Sequence, residues 1–363
     1  MNLKEKSRQL PELPGVYLMK DSCNDIIYVG KSKKLTNRVS SYFQNSKNRP
    51  SKVQKMVNNI NDFEYIVTDT EFEAFLLECR LIKSIKPIYN KKMKCPQSYV
   101  YLKVNINEQY PDLLISQFFS DDGSLYFGPF ISRSTVEQAI EGIKEICRIK
   151  CNNIRIKKDR RCLNYSMGLC IGMCQGDEKY KEYKKAITSI LNLIKGKDKE
   201  ILKRLKLSMD ESSAKLDYMQ AAKYRDYIKA VNYIIHSQKI VAEAIRNRNI
   251  AAVEWLDDNS IKFFLISGNK TIYDEKLDIS SSDMKEKISY MKDKILTYFR
   301  NNQNRRLRVV SKEEIDEAQI IYSYFRRNKN SNYKIVRESW LKDEKNDNLL
   351  NAITDLCIKA SKI

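Results

Sequence analysis

Leu13-Pro14-Gly15-Val16-Tyr17-Leu18, followed by Tyr28-Val29-Gly30-Lys31-Ser32 and Arg38-Val39-Ser40-Ser41-Tyr42-Phe43, decides how the first third of this chain is read. Val16 to Met19 and Ile26 to Val29 are apolar runs. The turn-rich Lys20-Asp21-Ser22-Cys23-Asn24-Asp25 separates them, which predicts two strands and their connection. The triplets Gly15-Val16-Tyr17 and Tyr28-Val29-Gly30 therefore fall about a hairpin apart. With Lys31, Arg38 and Tyr42 close behind, phenolic, guanidinium and ammonium groups can gather around one phosphate. A single carboxylate, Glu78, is available to hold a metal. Any one of these Tyr residues is, alone, most simply a packed aromatic with a satisfied hydroxyl. The ordered set carries the inference.

Working outward, Leu35 to Phe43 turns helical, and Val53, Met56, Val57 and Ile60 repeat at helical spacing. Phe63 to Val67 predicts a third short strand. Glu71 to Lys86 predicts a helix with Phe72, Phe75, Leu76, Cys79 and Ile82 on one face, ended by Pro87. Glu78 sits beside that apolar stripe, where a carboxylate can be aimed into a cleft at the edge of a core. Glu73, its nearest competitor, lies five residues earlier and points about 140° away.

The ordered motifs resemble the GIY-YIG nucleases. Together with Glu73-Ala74-Phe75-Leu76-Leu77-Glu78 and Lys86-Pro87-Ile88-Tyr89-Asn90, they are similar to the UvrC excinuclease family. The resemblance implies a DNA endonuclease that uses Mg2+ or Mn2+, in which one cation polarises the phosphate and assists the leaving oxygen. Arg38 then neutralises charge developing on the phosphoryl oxygens. It further implies Tyr28 as general base, Tyr17, Lys31 and Tyr42 as organisers of the cleft, Glu78 as the metal ligand, and Asn90 near it.

Composition agrees with a polyanionic partner. Across 363 residues, 66 Lys and Arg against 46 Asp and Glu give a net charge of +20. A general drift toward Lys does not by itself produce such an excess, and neutralising phosphates releases condensed counterions. The length predicts two or three compact units. Met1 to Arg8 has no apolar h-region, and no stretch reaches the roughly 18 apolar residues of a spanning helix, so a soluble, cytoplasmic protein without membrane association is expected. Oligomeric state is not set by the sequence.

Of nine Cys, five lie between Cys147 and Cys174, which favours thiolate ligation over disulfides. Cys151, Cys162, Cys170 and Cys174 suit a tetrahedral zinc or a cubane iron–sulfur cluster, and the absence of CxxC knuckles tilts toward iron. Arg161-Cys162-Leu163-Asn164-Tyr165, Gly168-Leu169-Cys170 and Cys174-Gln175-Gly176 are similar to the cluster region of the UvrC family. That likeness implies a [4Fe–4S] cluster on the quartet, with zinc as the alternative occupant. Cys147 falls outside it and reads as a buried apolar residue.

Strand formers at Tyr99–Val104, Leu113–Ile115 and Tyr126–Phe130 precede a helix from Ser134 to Cys147 and a basic helical stretch near Lys179–Lys206. Met209 to about Val241 reads as helix with a short turn inside it, and it resembles the UVR domain. Residues 209–235 are therefore expected to dock onto UvrB. Ala251–Phe264 suggests strands, Met284–Phe299 and Glu313–Arg326 helices, and Asn328–Asn348 a polar, loop-rich tail.

The expected class is α+β. Residues 1–95 form an α/β nuclease domain, 96–206 a strand-rich connector with the Cys-rich region, 207–240 a UVR-like hairpin, and 241–363 a small α/β region truncated relative to UvrC. The plan is similar to the short UvrC-homologous nuclease Cho. The implied function is a structure- or damage-dependent endonuclease of nucleotide excision repair, making one 3′-side incision in double-stranded DNA. The alternatives are a non-catalytic UvrC-like DNA-binding adaptor and a GIY-YIG nuclease of another DNA-processing pathway.

Overall fold

The computed structural model describes residues 2–44, 50–91, 93–108, 110–151, 163–173, 176–279, 284–301, 310–328, 331–342 and 347–358. The chain divides into two compact units, Met1–Pro96 with Glu243–Ile363, and Gln97–Ala242.

The first part of the discontinuous unit holds α1 (Leu3–Arg8), β1 (Gly15–Lys20), β2 (Ile26–Ser32), α2 (Leu35–Phe43), α3 (Ser51–Asn58), β3 (Asp62–Val67) and α4 (Glu71–Ile85). β1 is the centre of an antiparallel sheet ordered β2-β1-β3, with Tyr17 opposite Gly30 and Tyr65, and Met19 opposite Tyr28 and Phe63. Because side chains alternate along a strand, β1 serves two cores. Tyr17 and Met19 pack with Leu35, Val39, Tyr42, Met56 and Phe63, while Val16 and Leu18 pack with Val29, Ala74 and Ile82. α4 starts with a capping box, in which Thr70 accepts from the Glu73 N–H and Glu73 accepts from the Thr70 N–H. It ends at Lys86 in the left-handed region, immediately before Pro87.

The continuous unit contains β4 (Val100–Val104), β5 (Leu113–Ser116), β6 (Leu125–Phe130), α5 (Arg133–Ile146), α6 (Leu163–Ser166), α7 (Asp177–Ile194), α8 (Glu200–Ala214) and α9 (Tyr218–Ile245), the last running past the boundary. Its sheet is antiparallel in the order β5-β4-β6. α5 and α9 approach closely at Gly142, where a Cβ would lie 2.6 Å from the Tyr227 ring. Beside that contact, Glu145 gathers the ammonium groups of Lys150 (3.0 Å) and Lys223 (2.9 Å). The basic stretch near Lys179–Lys206 is broken between Ile194 and Glu200, with Gly196 at φ 71°. The expected turn inside the next helical stretch falls at Lys215–Asp217, and Leu216, Tyr218 and Met219 around it are exposed.

The second part of the discontinuous unit comprises β7 (Asn249–Trp255), β8 (Ser260–Ser267), β9 (Lys270–Asp278), α10 (Met284–Asn301), α11 (Ile315–Arg327), β10 (Ser331–Val336), α12 (Glu338–Lys342) and α13 (Asp347–Cys357). Its antiparallel sheet runs β10-β7-β8-β9. Val253, Phe263 and Leu265 face Met291, Ile295, Phe299, Ile353 and Leu356 from α10 and α13. Ile250, Ala252, Phe264 and Ile266 face Phe72, Leu76 and Cys79 of α4 and Ile320, Ile321 and Phe325 of α11. α4 is thereby packed on both sides.

One expectation needs correction here, and one strand, β9, went unread. Asn328–Asn348 is not a loop-rich tail: β10 pairs with β7 along its length, and α12 follows. β9 carries no apolar run, because as an edge strand it is exposed or half-buried at every position but Leu277. In both strands the backbone ladder supplies what the side chains do not announce. Among the described residues, no helix is long and apolar enough to cross a membrane.

Candidate active site

The glycines of the two triplets are fixed by close approach. A Cβ on Gly30 would lie 2.4 Å from the Tyr17 Oη, and one on Gly15 would lie 2.3 Å from the Ile66 carbonyl oxygen. The phenol of Tyr17 therefore lies across the β2 backbone, and only a residue without a side chain passes beneath it. Tyr17 Oη is 3.0 Å from Tyr42 Oη of α2. The ring centroids of Tyr17, Tyr28 and Tyr42 stand 6.2, 5.9 and 6.5 Å apart, a mutually packed trio. One turn before Tyr42, the Arg38 guanidinium lies 5.1 Å from the Tyr42 ring centroid.

Tyr28, Arg38 and Tyr42 line a cleft of about 340 Å³, closed on its other side by Lys52, Val53, Met56 and Tyr89. Tyr17, 1 % exposed, stands behind it and holds Tyr42. Glu78 is pushed up to about 7, chiefly by burial. The charges of Lys31 and Arg38 and the Lys31 backbone N–H, which donates to its carboxylate, oppose that rise. Tyr28 is raised by burial, by the Tyr42 phenol and by the charge of Glu78, with Arg38 opposing. Glu78, Tyr28 and Arg38 thus form one electrostatic group.

Two residues sit differently from a simple ring around a phosphate. The Lys31 ammonium pairs with Glu71 Oε1 at 3.1 Å and rests 3.1 Å from the Phe75 ring centroid. It is the backbone of Lys31 that meets Glu78. Asn90 donates from Nδ2 to the Val29 carbonyl at 2.8 Å and accepts at Oδ1 from the Val29 N–H at 3.0 Å. It therefore closes the free edge of β2 between Tyr28 and Gly30, as a neighbouring strand would. Glu73 is turned away from the cleft, as its helical position predicts, and meets Lys262 at 2.9 Å.

Sequence reasoning missed Glu71, Lys52 and Tyr89. Lys52 donates to the Tyr89 carbonyl at 2.8 Å, and burial together with Lys91 and Lys94 lowers its ammonium. Lys52 and Tyr89 line the cleft, whereas Glu71 meets the Lys31 ammonium; Tyr89 lies within the quoted motif beside Asn90, and no local pattern marks Lys52 or Glu71.

Glu78 is not among the residues lining the tyrosine cleft, but a lone half-buried carboxylate in the field of Lys31 and Arg38 fits a magnesium-type ion, which takes one or two carboxylates and fills its remaining positions with water and phosphate oxygens. Among the described residues there is no cluster of three or more His, Cys, Asp or Glu that would form an all-protein cage.

Of the Cys quartet, Cys162 and Cys174 lie outside the described residues. Cys151 is half-buried and Cys170 buried; the Tyr183 phenol is raised chiefly by burial, with Asp112 and these two thiols adding to the rise. The Gly172 N–H donates to Cys170 Sγ at 3.4 Å. Cys147 is 5 % exposed within the main core of its unit, and burial pushes its thiol up to about 11.

The three-stranded sheet, the tyrosine trio and the single carboxylate define a GIY-YIG domain. Residues 13–91 match the UvrC-like GIY-YIG domain, 99–193 the middle domain of the UvrC/Cho excinucleases, and 199–234 the UvrB/uvrC motif, so the chain is UvrC-like in three successive segments. The UvrABC system protein C of Acetivibrio thermocellus is 36% identical over 325 residues, covering 88% of this chain and 52% of that protein. Its counterpart from Clostridium tetani is 44% identical over 295 residues, covering 78% and 47%. The chain spans about half the length of the curated relatives it matches. The crystal structure of the GIY-YIG N-terminal endonuclease domain of UvrC from Thermotoga maritima, bound to magnesium as its catalytic divalent cation, is 39% identical. It covers 25% of this chain and 100% of that one, with a TM-score of 0.23.

Proposed function

We propose that this chain is a metal-dependent DNA endonuclease of nucleotide excision repair, making a single 3′-side incision by phosphodiester hydrolysis. The observation that carries this reading is the one cleft lined by Tyr28, Arg38 and Tyr42, with Glu78 electrostatically coupled to the first two. A divalent ion held by Glu78 would supply charge neutralisation and leaving-group stabilisation. The residues do the rest. Arg38 neutralises the phosphoryl oxygens, and Tyr28, as the phenolate that the Arg38 charge favours and burial opposes, would take the proton of the attacking water. Tyr17 and Tyr42 hold the phenol array, while Asn90 fixes the strand that presents Tyr28. Lys31 contributes its backbone N–H to Glu78 and its ammonium to Glu71.

The Cys151, Cys162, Cys170 and Cys174 quartet would hold a [4Fe–4S] cluster, with zinc as the alternative, in a structural or DNA-positioning role. Hydrolysis moves no electrons. The α8–α9 hairpin, with Tyr218 and Met219 66% and 86% exposed at its turn, would dock onto UvrB. Incision of a site-specifically damaged duplex, with Mg2+ or Mn2+ and with or without UvrB, tests the whole reading. Cutting that survives Glu78→Gln removes Glu78 from the site, and UvrB-dependent cutting unaffected by Tyr218→Asp removes the hairpin from docking.

A further inference from the structure

The largest cavity described lies away from the tyrosine cleft, in the second part of the discontinuous unit. It measures about 860 Å³ and is lined by Arg246, Asn247, Arg248 and Asn249 on one side and Arg337 and Trp340 on the other. β7 and β10 bring the two sides together. Asn249 is the register partner of Val336, so Arg248 and Arg337 flank the same end of one strand pair. Glu243 accepts from Arg246 at 2.7 Å and lies 3.4 Å from Arg248, holding the two guanidinium groups side by side. The Arg337 guanidinium lies 5.6 Å from the Trp340 ring centroid, and the Trp340 ring packs against the apolar core beneath it. Glu338 also lines the cavity.

We propose that this cavity is a second nucleic-acid contact. It takes the sugar–phosphate backbone of a single-stranded DNA segment on Arg246, Arg248 and Arg337, and one unstacked base on Trp340. A guanidinium offers five donors in a planar fork that matches phosphate oxygens, and two carboxylates do not exhaust three such forks. The indole, packed against the core with the Arg337 guanidinium beside it, is a flat aromatic platform of the kind on which unpaired bases stack. Duplex DNA hides its base faces within the stack, which is why the single strand is the fitting form. An acidic peptide would use the arginines and leave the indole without a role. The volume falls within the roughly 300–1,000 Å³ of ligand sites. The choice of DNA rests on the nuclease reading above.

The chain has two Trp residues, which supplies a direct readout. In the full chain carrying Trp255→Phe, Trp340 is the only indole, and a short oligothymidylate should quench its emission on binding. Should that variant fail to fold, the difference between wild type and Trp340→Phe reports the same signal. Arg337→Ala, and Arg246→Ala with Arg248→Ala, should weaken oligothymidylate binding about tenfold. They should also lower the slope of log affinity against log salt by about 0.7 per arginine. An unquenched indole, a salt slope that none of the arginines alters, or equal quenching by polyglutamate overturns the proposal. Glu78→Gln should leave the quenching intact. If wild-type chain shows quenching but never cuts DNA, the nuclease reading falls and the site stands; if it cuts without quenching, the reverse holds.

Discussion

The ammonium of Lys262 lies 2.8 Å from the carboxylate of Asp69, a residue 193 positions earlier in the chain. Glu73 at 2.9 Å and Asp274 at 3.0 Å complete its surroundings, and Lys262 is only 5 % exposed. Burial alone would lower this ammonium. Hydrogen bonds to the three carboxylates outweigh burial and raise it. One cation of β8 thus ties down the loop and first turn from which α4, the helix of Glu78, begins.

Replacing Lys262 with Ala should destabilise the discontinuous unit by about 1–3 kcal/mol, because three converging carboxylates lose the charge that holds them together while water still screens them in part. Lys262→Arg should recover part of the loss. Thermal unfolding of the two variants checks both values, and an unchanged melting temperature in Lys262→Ala refutes the anchor.

Glu78→Gln should abolish metal-dependent incision while making the metal-free protein more stable at alkaline pH. The sign follows from the raised carboxyl. Glu78 ionises near 7 in the folded chain against 4.5 when free. Its contribution to stability is therefore fully present below about 4.5 and lost as pH rises through about 7. Above 7 the variant should gain on the order of 2–3 kcal/mol, and below 4 the two proteins should melt alike. Metal-dependent incision by the wild type should rise with pH through the same region, since binding the ion requires the carboxylate. A wild-type rate flat from pH 5.5 to about 8.5 contradicts this.

Gly30→Ala places a methyl group 2.4 Å from the Tyr17 Oη. The phenol must move, and with it its bond to Tyr42. A stability cost of about 1–3 kcal/mol is expected, with incision reduced far more than DNA binding, which depends on many cationic contacts. Filter binding and incision on the same substrate separate the two effects.

Anaerobically purified protein should be brown, with iron in cubane stoichiometry. Cys151→Ser and Cys170→Ser should each lose iron, whereas Cys147→Ser, altering a thiol within the apolar core, should keep it. Colourless protein with one equivalent of zinc assigns the site to zinc instead.

The catalytic elements were legible because their determinants are local. The triplets carry strand period and turn residues together, and Glu71 to Pro87 carries an apolar stripe, a cap and a stop. Helical angle set Glu73 and Glu78 in different directions, and the motif resemblance chose Glu78 between them. The side chains of Lys31 and Asn90 were not, since where they end depends on Glu71 and on the free edge of β2. β9 and β10 were hidden for a related reason. An edge strand shows water most of its length, so its alternation is polar against polar, and the pairing that makes it a strand comes from a neighbour the sequence does not identify.

Because Ile250, Ala252 and Phe264 cover the outer face of α4, part of the nuclease core is delivered late during synthesis. All of Gln97–Ala242 must leave the ribosome first. At about 5–20 residues per second, that is a wait of roughly 7–30 s. Throughout it, Phe72, Leu76 and Cys79 stand uncovered beside a helix already able to form. Chaperone demand should therefore peak in that interval, fall once β8 emerges and end only when α11 has followed it, a timing set by the order of the segments along the chain.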